Sequence, residues 1–357
     1  MRKHLIFILA SLMCLLLAAC QGETKVGNTH VTGDVVNIHG SVEGLENMEG
    51  FLDSTENKEK SHIKITHYTT EGDPIYTDLS YEEDVYTVKH DYTKDSYGSG
   101  GIQTFTCQNF IKEETPVSLS YIVTDCDKSN FKMDRILYVE YDLSRQDLFE
   151  VQLKYGIDLE NDINTIEKEM TKILNVKETL HVSDFDLPHK VKQKIFKRLV
   201  LANYLDEEAP LKTDCDAEDY MKYHLLVKIN GGSKEFKWSA CETSDKGNKL
   251  TDMAEYMIKA SELEPGSVQD VYIQGYIVDV SEEEILIAEN LNKFDYELLK
   301  DYSHQEWMET YQLNLISVRH NDKRKLAKGT KVLVKTNGNM MESMPMKATA
   351  ERIEIME

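Results

Sequence analysis

Between residues 63 and 123 apolar side chains recur at alternate positions in short runs. They lie at 63–68, 75–79, 85–88, 102–106 and 117–123, and each reads as a strand. Gly72-Asp73-Pro74 and Tyr97-Gly98-Ser99-Gly100-Gly101 interrupt the runs with turn-forming residues. Ahead of this meander, Val35, Val36 and Ile38 suggest a first strand, while Leu45, Met48, Phe51 and Leu52 recur at helical spacing. Residues 31–127 are therefore expected to form a helix-plus-meander domain.

The pattern is mixed over residues 128–266. Ile136-Leu137-Tyr138-Val139 reads as a strand, and the spacing of Ile163, Ile166, Met170, Ile173 and Leu174 predicts a helix. A second helix follows Leu187-Pro188 and carries Val191, Ile195, Leu199 and Val200. Residues 223–229, the turn Asn230-Gly231-Gly232 and residues 235–238 predict a hairpin. A helix over 250–259, with Met253, Ala254, Met257 and Ile258, is expected to pack on it. After the break at Glu264-Pro265-Gly266, residues 267–357 read as strands at 271–280, 284–289, 331–334 and 347–355, with a less regular stretch at 313–318. Gly275 inside the long strand suits a tight barrel bend, and the pattern suggests a small OB-like barrel. The expected fold class is α+β and multi-domain: an N-terminal helix-plus-β-meander domain, a mixed middle domain with helices and a hairpin, and a C-terminal OB-like β-barrel.

The first residues follow none of these periods. Arg2 and Lys3 precede an apolar run from Leu5 to Leu17, which closes on Leu17-Ala18-Ala19-Cys20. This is the anatomy of an export signal; the competing reading, an uncleaved membrane helix, needs about 20 apolar residues, more than the run supplies. Leu-Ala-Ala before a cysteine resembles the lipobox of bacterial lipoprotein precursors. The resemblance implies a signal peptide at 1–19, acylation of Cys20 as the first mature residue, and a lipidated tether over 20–30. Two acyl chains hold a protein stably without a transmembrane segment, so the membrane is an expected partner through the lipid on Cys20. The expected location is the cell membrane, on its extracytoplasmic face.

Composition sharpens this picture. The chain has 357 residues, enough for two or three compact units. Its net charge is −22, and loss of Arg2 and Lys3 with the signal takes it to −24. Such a surface repels phosphate backbones, so no nucleic-acid partner is expected. From residue 268 onward 11 Lys and Arg face 16 Asp and Glu, which argues against the nucleic-acid role usual for an OB-like barrel. An envelope protein, peptide or glycan fits better. Four cysteines remain once Cys14 leaves with the signal and Cys20 takes lipid: Cys107, Cys126, Cys215 and Cys241. Outside the cytoplasm an even number reads as disulfides. Three connectivities are open and proximity favours 107–126 with 215–241; four buried free thiols are the alternative. No cysteine or histidine pair has the close spacing of a zinc site.

No catalytic constellation emerges. Gly98-Ser99-Gly100-Gly101 lacks the strand-before, helix-after context of a phosphate loop or nucleophile elbow and reads as a hairpin turn. His62, His67, His90 and His181 are scattered, with no spacing that joins them. Asp214, Asp216, Glu218 and Asp219 lack the spaced ligands and glycine of a calcium loop and read as solvated acid. Lys190, Lys192, Lys194, Lys197 and Arg198 form the largest basic patch, with Lys323-Arg324-Lys325 smaller; each reads first as a solvated face, and the former as a lipid or wall-polymer contact second. No cofactor and no metal is expected.

Two family resemblances complete the reading. Tyr68-Thr69-Thr70-Glu71-Gly72-Asp73-Pro74, followed by Gly98-Ser99-Gly100-Gly101 and Cys107, resembles domain of unknown function 4362, which implies an exported lipoprotein with no assigned activity. Gly275-Tyr276-Ile277-Val278, Lys328-Gly329-Thr330-Lys331-Val332 and Glu342-Ser343-Met344-Pro345 resemble domain of unknown function 3221, the YobA-like family of exported bacterial proteins. That resemblance implies an OB-like fold; the chain departs from it in a long middle insertion, roughly residues 290–319. The expectation is a membrane-anchored, non-enzymatic binding or interaction module. An inhibitor or immunity-type lipoprotein and an envelope hydrolase are the alternatives.

Overall fold

The computed structural model describes residues 34–357, except 129, 130, 207–209, 217, 218, 263–270, 323, 325, 337–339, 342 and 357. Three sheets and a barrel account for most of it, with a few helices, so the class is α+β and largely β.

The first sheet has six strands in the order β2-β1-β3-β4-β5-β6: β1 Val35–Ile38, β2 Ser41–Glu43, β3 Ser61–Tyr68, β4 Pro74–Glu82, β5 Val85–Asp91 and β6 Ile102–Cys107. Only β1 and β3 are parallel, because α1 (Leu45–Glu56) carries the chain across between them. Alternation does the packing: Thr77, Leu79 and Tyr81 of β4 and Tyr86, Val88 and His90 of β5 turn inward. The chain then corners at Gln108 into a second sheet, β7 Asn109–Glu114, β8 Ser118–Thr124 and β9 Met133–Glu140. All seven residues of β8 are buried, as befits a strand covered on both faces. Phe110 packs edge-on to Phe51 of α1, 5.6 Å between centroids, which joins the two sheets.

A third sheet follows in the order β13-β12-β11-β10-β14-β15: β10 Phe149–Gly156, β11 Asn161–Asn164, β12 Glu169–Asn175, β13 Glu178–Ser183, β14 Lys222–Ile229 and β15 Gly232–Ser239. Here the structure departs from the pattern reading, because the helix expected over 163–174 is the β11–β12 hairpin. Asn164 Oδ1 accepts from the backbone N–H of Ile166 and Glu167, both at 3.0 Å, and Lys168 adopts a left-handed φ of 57°. That turn sets Ile163 opposite Met170, the two buried members of the run, and leaves Ile173 and Leu174 exposed. The i, i+3, i+4 spacing was coincidental with a two-residue period on either side of a turn. Helices α2 (His189–Leu201) and α3 (Asp245–Ser261) bury Val191, Ile195, Leu199, Leu250, Met253 and Met257 into the same core.

One apolar core runs from Val35 to Ala260. The division expected after Asp127 does not coincide with a break in it, because β8 and β9 are paired across that point. The strands β2, β7, β10 and β13 were not in the sequence reading; β7 and β13 are rich in charged or exposed residues, whereas β10 alternates buried and part-buried positions.

The C-terminal part holds β16 Val271–Val280, β17 Glu284–Glu289, α4 Lys293–Leu299, α5 His304–Glu309, β18 Leu315–Arg319, β19 Lys331–Thr336 and β20 Met346–Ile355. The strands ring in the order β16-β17-β18-β20-β19, with β19 returning to β16 and only β18 and β20 parallel. Ile273, Ile277, Ile285, Ile287, Ile316 and Val332 fill one apolar cluster, and Tyr276, Tyr296 and Trp307 form a second with α4 and α5. A Cβ on Gly275 would stand 2.0 Å from the Ala288 carbonyl oxygen, so the close approach of β16 and β17 requires glycine there. The stretch 290–319, expected as an insertion, supplies β18, a strand of the ring. The interdomain break expected at Glu264-Pro265-Gly266 lies outside the described residues.

Candidate functional site

A cavity of about 520 Å³ opens where the β1–β2 turn, β3, β9 and the C-terminal end of α2 meet. Polar side chains that brace one another build its rim. Asn37 Oδ1 accepts from Gly40 N–H at 3.0 Å and fixes the turn, in which His39 and Gly40 adopt φ of 52° and 94°. Ser41 Oγ donates to Asn203 Oδ1 at 2.6 Å, across 162 residues of sequence. Asn203 ends α2 in a left-handed conformation (φ 47°), with its N–H on Val200 O and that of Tyr204 on Leu199 O. Opposite, Gln146 Oε1 accepts from Asn230 Nδ2 at 3.0 Å. Ile136, Leu137, Phe196 and Val200 form the apolar lining.

The charged groups on this lining are balanced. Arg135 Nη1 donates to Asp295 Oδ1 at 3.0 Å, and its guanidinium lies over the rings of Tyr138 and Phe294, 4.3 and 4.9 Å from their centroids. Glu140 pairs with Arg145 at 3.2 Å. His67 Nε2 stands 3.1 Å from Ile136 O, so this nitrogen carries the proton and Nδ1 faces Asn37 Nδ2 at 3.5 Å. Burial, against the opposing pull of that backbone bond, lowers the His67 pKa and keeps the ring neutral. No two ionisable groups of the lining are hydrogen-bonded to each other among the described residues.

Behind His67 lies a sealed polar chain. Thr77 Oγ1 is 2.9 Å from His90 Nδ1, and His90 Nε2 is 2.8 Å from Asp134 Oδ2, which also accepts from Lys128 Nζ at 3.0 Å. Burial pushes the Asp134 carboxyl up, but the hydrogen bonds from His90 and Lys128 outweigh it and hold the pKa below the usual carboxylate range. Hydroxyl, imidazole and carboxylate thus stand in the sequence of a nucleophilic triad. Thr77 is only 1% exposed, however, so its oxygen meets no substrate. The chain ties the first sheet to β9. His62 faces Asp78 and His181 faces Thr171 on the surface, and neither is part of that chain. The four histidines therefore supply one buried brace and one groove wall.

A third polar centre joins the barrel to the preceding sheets. Glu113 of β7 pairs with Lys331 of β19, accepts from the Lys293 backbone N–H, and accepts from the Tyr276 hydroxyl at 3.1 Å. Gln274 Nε2 adds a bond to Glu114 O at 3.1 Å. Burial, then the Glu113 charge, pushes the Tyr276 pKa up, so the hydroxyl stays a donor.

The remaining sequence candidates are placed as follows. Cys20, with the signal and tether, lies outside the described residues. Cys107 is bonded to Cys126 and Cys215 to Cys241. The first bridge does not join neighbouring strands: Cys107 ends β6 of the first sheet and Cys126 follows β8 of the second, so it staples two sheets. On α2, Lys192 pairs with Asp186, Lys197 with Glu114, and Arg198 lies over Tyr256, so much of the basic face is spent inside the molecule. Asp214 accepts from Tyr220, while Glu218, Lys323 and Lys325 lie outside the described residues. No group of three or more His, Cys, Asp or Glu able to hold a metal occurs among the described residues. The groove residues Asn37, Ser41, Gln146 and Asn203 carried no motif. The one local signal was an asparagine just past a helical period, where a left-handed cap is favoured.

Comparison with known proteins places two segments. Residues 32–122 match the model of the Domain of unknown function (DUF4362), and residues 274–357 that of the Protein of unknown function (DUF3221). No curated protein matches the chain. Among solved structures, a crystal structure of a YobA protein from Bacillus subtilis strain 168 is similar at 21% identity and a TM-score of 0.21, covering 26% of this chain and all of that one. An NMR structure of Bacillus subtilis YobA is similar at 22% identity and a TM-score of 0.20, covering 26% of this chain and 88% of that one. The chain therefore joins a DUF4362 segment at residues 32–122 to a DUF3221 segment at residues 274–357.

Proposed function

We propose that this protein is a binding module held on the extracytoplasmic face of the cell membrane by lipid on Cys20, with its ligand site in the groove between the β1–β2 turn, β9 and α2. The observation that carries the reading is the groove itself. It is a cavity of about 520 Å³ whose rim is preorganised by Asn37, Ser41 and Asn203 and whose ionic side chains are already paired. Preorganised polar rims over apolar floors suit binding, whereas catalysis asks for a nucleophile and base within reach of substrate. The hydroxyl–imidazole–carboxylate chain is sealed, which disfavours an envelope hydrolase. We read the C-terminal barrel as OB-like, with Glu113 docking it on the sheets as a rigid neighbour of the groove rather than as a nucleic-acid platform.

The test is surface crosslinking on intact cells, comparing the native chain with Leu205→Arg and Cys20→Ala. Leu205 is half-exposed on the groove rim, so arginine there obstructs the groove without entering the core. A captured envelope component lost in Leu205→Arg supports the groove, and release of Cys20→Ala from the membrane fraction supports the anchor. Capture unaffected by Leu205→Arg refutes the groove; membrane retention of Cys20→Ala refutes the anchor.

A further inference from the structure

We infer that the groove takes a short, neutral, polyhydroxylated ligand, that is, an uncharged oligosaccharide. The inference rests on reading the groove as a binding site and adds the chemical class. Three features of the lining select it. First, no uncompensated charge faces the cavity from Arg135 or Glu140, since each has an ion-pair partner outside the ligand space. A phosphate or carboxylate ligand would have to break the Arg135–Asp295 bond and enter against a net charge of −22.

Second, the rim amides are half used. The Asn203 Oδ1 is occupied by Ser41 and the Gln146 Oε1 by Asn230, so each amide is oriented by its neighbour and keeps its NH₂ for a ligand. Sugar hydroxyls and ring oxygens accept from such groups and donate in return to the Ser41 oxygen and to Tyr204. Burial pushes the Tyr204 phenol up, so it remains a neutral donor and acceptor. Third, the part-exposed Tyr138 and Val200 and the half-exposed Leu205 offer apolar surface to the C–H face of a sugar ring, as amphipathic ligands require. An apolar ligand would strand the rim amides; a charged one would meet no free counter-charge.

The probes are chitotriose and maltotriose, both neutral trisaccharides, with the neutral-side-chain peptide trialanine as the alternative class. Binding to the whole mature chain is followed by titration calorimetry. The expected result is saturable binding of at least one sugar, weakened about fivefold or more by Gln146→Ala and by Asn203→Gly, the loss of roughly one hydrogen bond each. Glycine keeps the left-handed backbone at 203, and unchanged melting curves establish that each variant is folded. Binding of the acetamido sugar alone points to wall-type glycan and of both sugars to neutral saccharide in general; either supports the class. Trialanine bound in preference to the sugars and lost in Leu205→Arg overturns the sugar class while the groove stands. The same holds if no probe binds but cell-surface capture is lost in Leu205→Arg. Sugar binding indifferent to Gln146, Asn203 and Leu205 overturns both.

Discussion

Replacing Glu113 with alanine tests how the barrel is held to the sheets. The Glu113 and Lys331 side chains are each only 10% exposed, and the carboxylate also serves the Tyr276 hydroxyl and the Lys293 N–H. Alanine leaves an ammonium in a site shaped for a pair. Removing one partner of a buried pair costs about 3–5 kcal/mol. Each orphaned buried donor adds about 1–3 kcal/mol where water fails to replace the acceptor. The space left by the carboxylate admits water, so a loss of about 4 kcal/mol is expected rather than the full total. The double variant Glu113→Leu, Lys331→Met removes both charges and strands only Tyr276 and Lys293 N–H, so its loss should be about 1–3 kcal/mol. Urea unfolding followed by tryptophan fluorescence measures both. The chain has two tryptophans, Trp238 in β15 and Trp307 in α5, each 1% exposed, so the two sides of the joint both report. A single-variant loss below about 1 kcal/mol, or a double variant no better than the single, would mean that the pair is wet and the joint rests on Phe131–Phe294 and Arg135–Asp295 instead.

Other consequences are as direct. His67 has a folded pKa below its ordinary 6.5, so its stabilising effect is whole above pH 6.5 and is lost as pH falls below it toward the folded value. Melting temperature should therefore fall between pH 7.5 and 5 and fall less in His67→Gln, and an equal slope in both proteins would count against the assignment; Asp134, also lowered, adds a further loss only below pH 3.8. Gly275→Ala forces a methyl within 2.0 Å of the Ala288 carbonyl and should destabilise the barrel by about 1–3 kcal/mol in the Trp307 transition, whereas a neutral effect would show that β16 and β17 separate freely. Replacing Cys107 and Cys126 by alanine together should cost about 3 kcal/mol, given their sequence separation of 19, as read by urea midpoint; no change would mean that the sheets are joined as firmly by Phe51 and Phe110 alone. Mass spectrometry of the mature N-terminus should find Cys20 acylated, and an unmodified Cys20 would remove the anchor.

What the sequence determined by itself were elements governed by local rules. The strand runs in 63–123, the Asn230-Gly231-Gly232 turn and the i, i+4, i+8 spacing of Val191, Ile195 and Leu199 are neighbour relations along one strand or helix face, and the structure contains each of them. Cysteine proximity likewise limited the bridges, since nearby partners close short loops. Local rules misled at 163–174, where one asparagine turn converts a helical spacing into a hairpin. They were silent at β7, whose buried acid makes sense only once Lys331, 218 residues away, stands against it. The groove was invisible for the same reason. Ser41 and Asn203 are unremarkable polar residues until the α2 terminus meets the β1–β2 turn, and His67 is part-buried only because β9 lies across it. Hydrophobic period and turn chemistry act over a few residues and can be read in order. Desolvation, charge pairing and shared hydrogen bonds act between segments brought together by the core, and only the tertiary structure decides which segments those are.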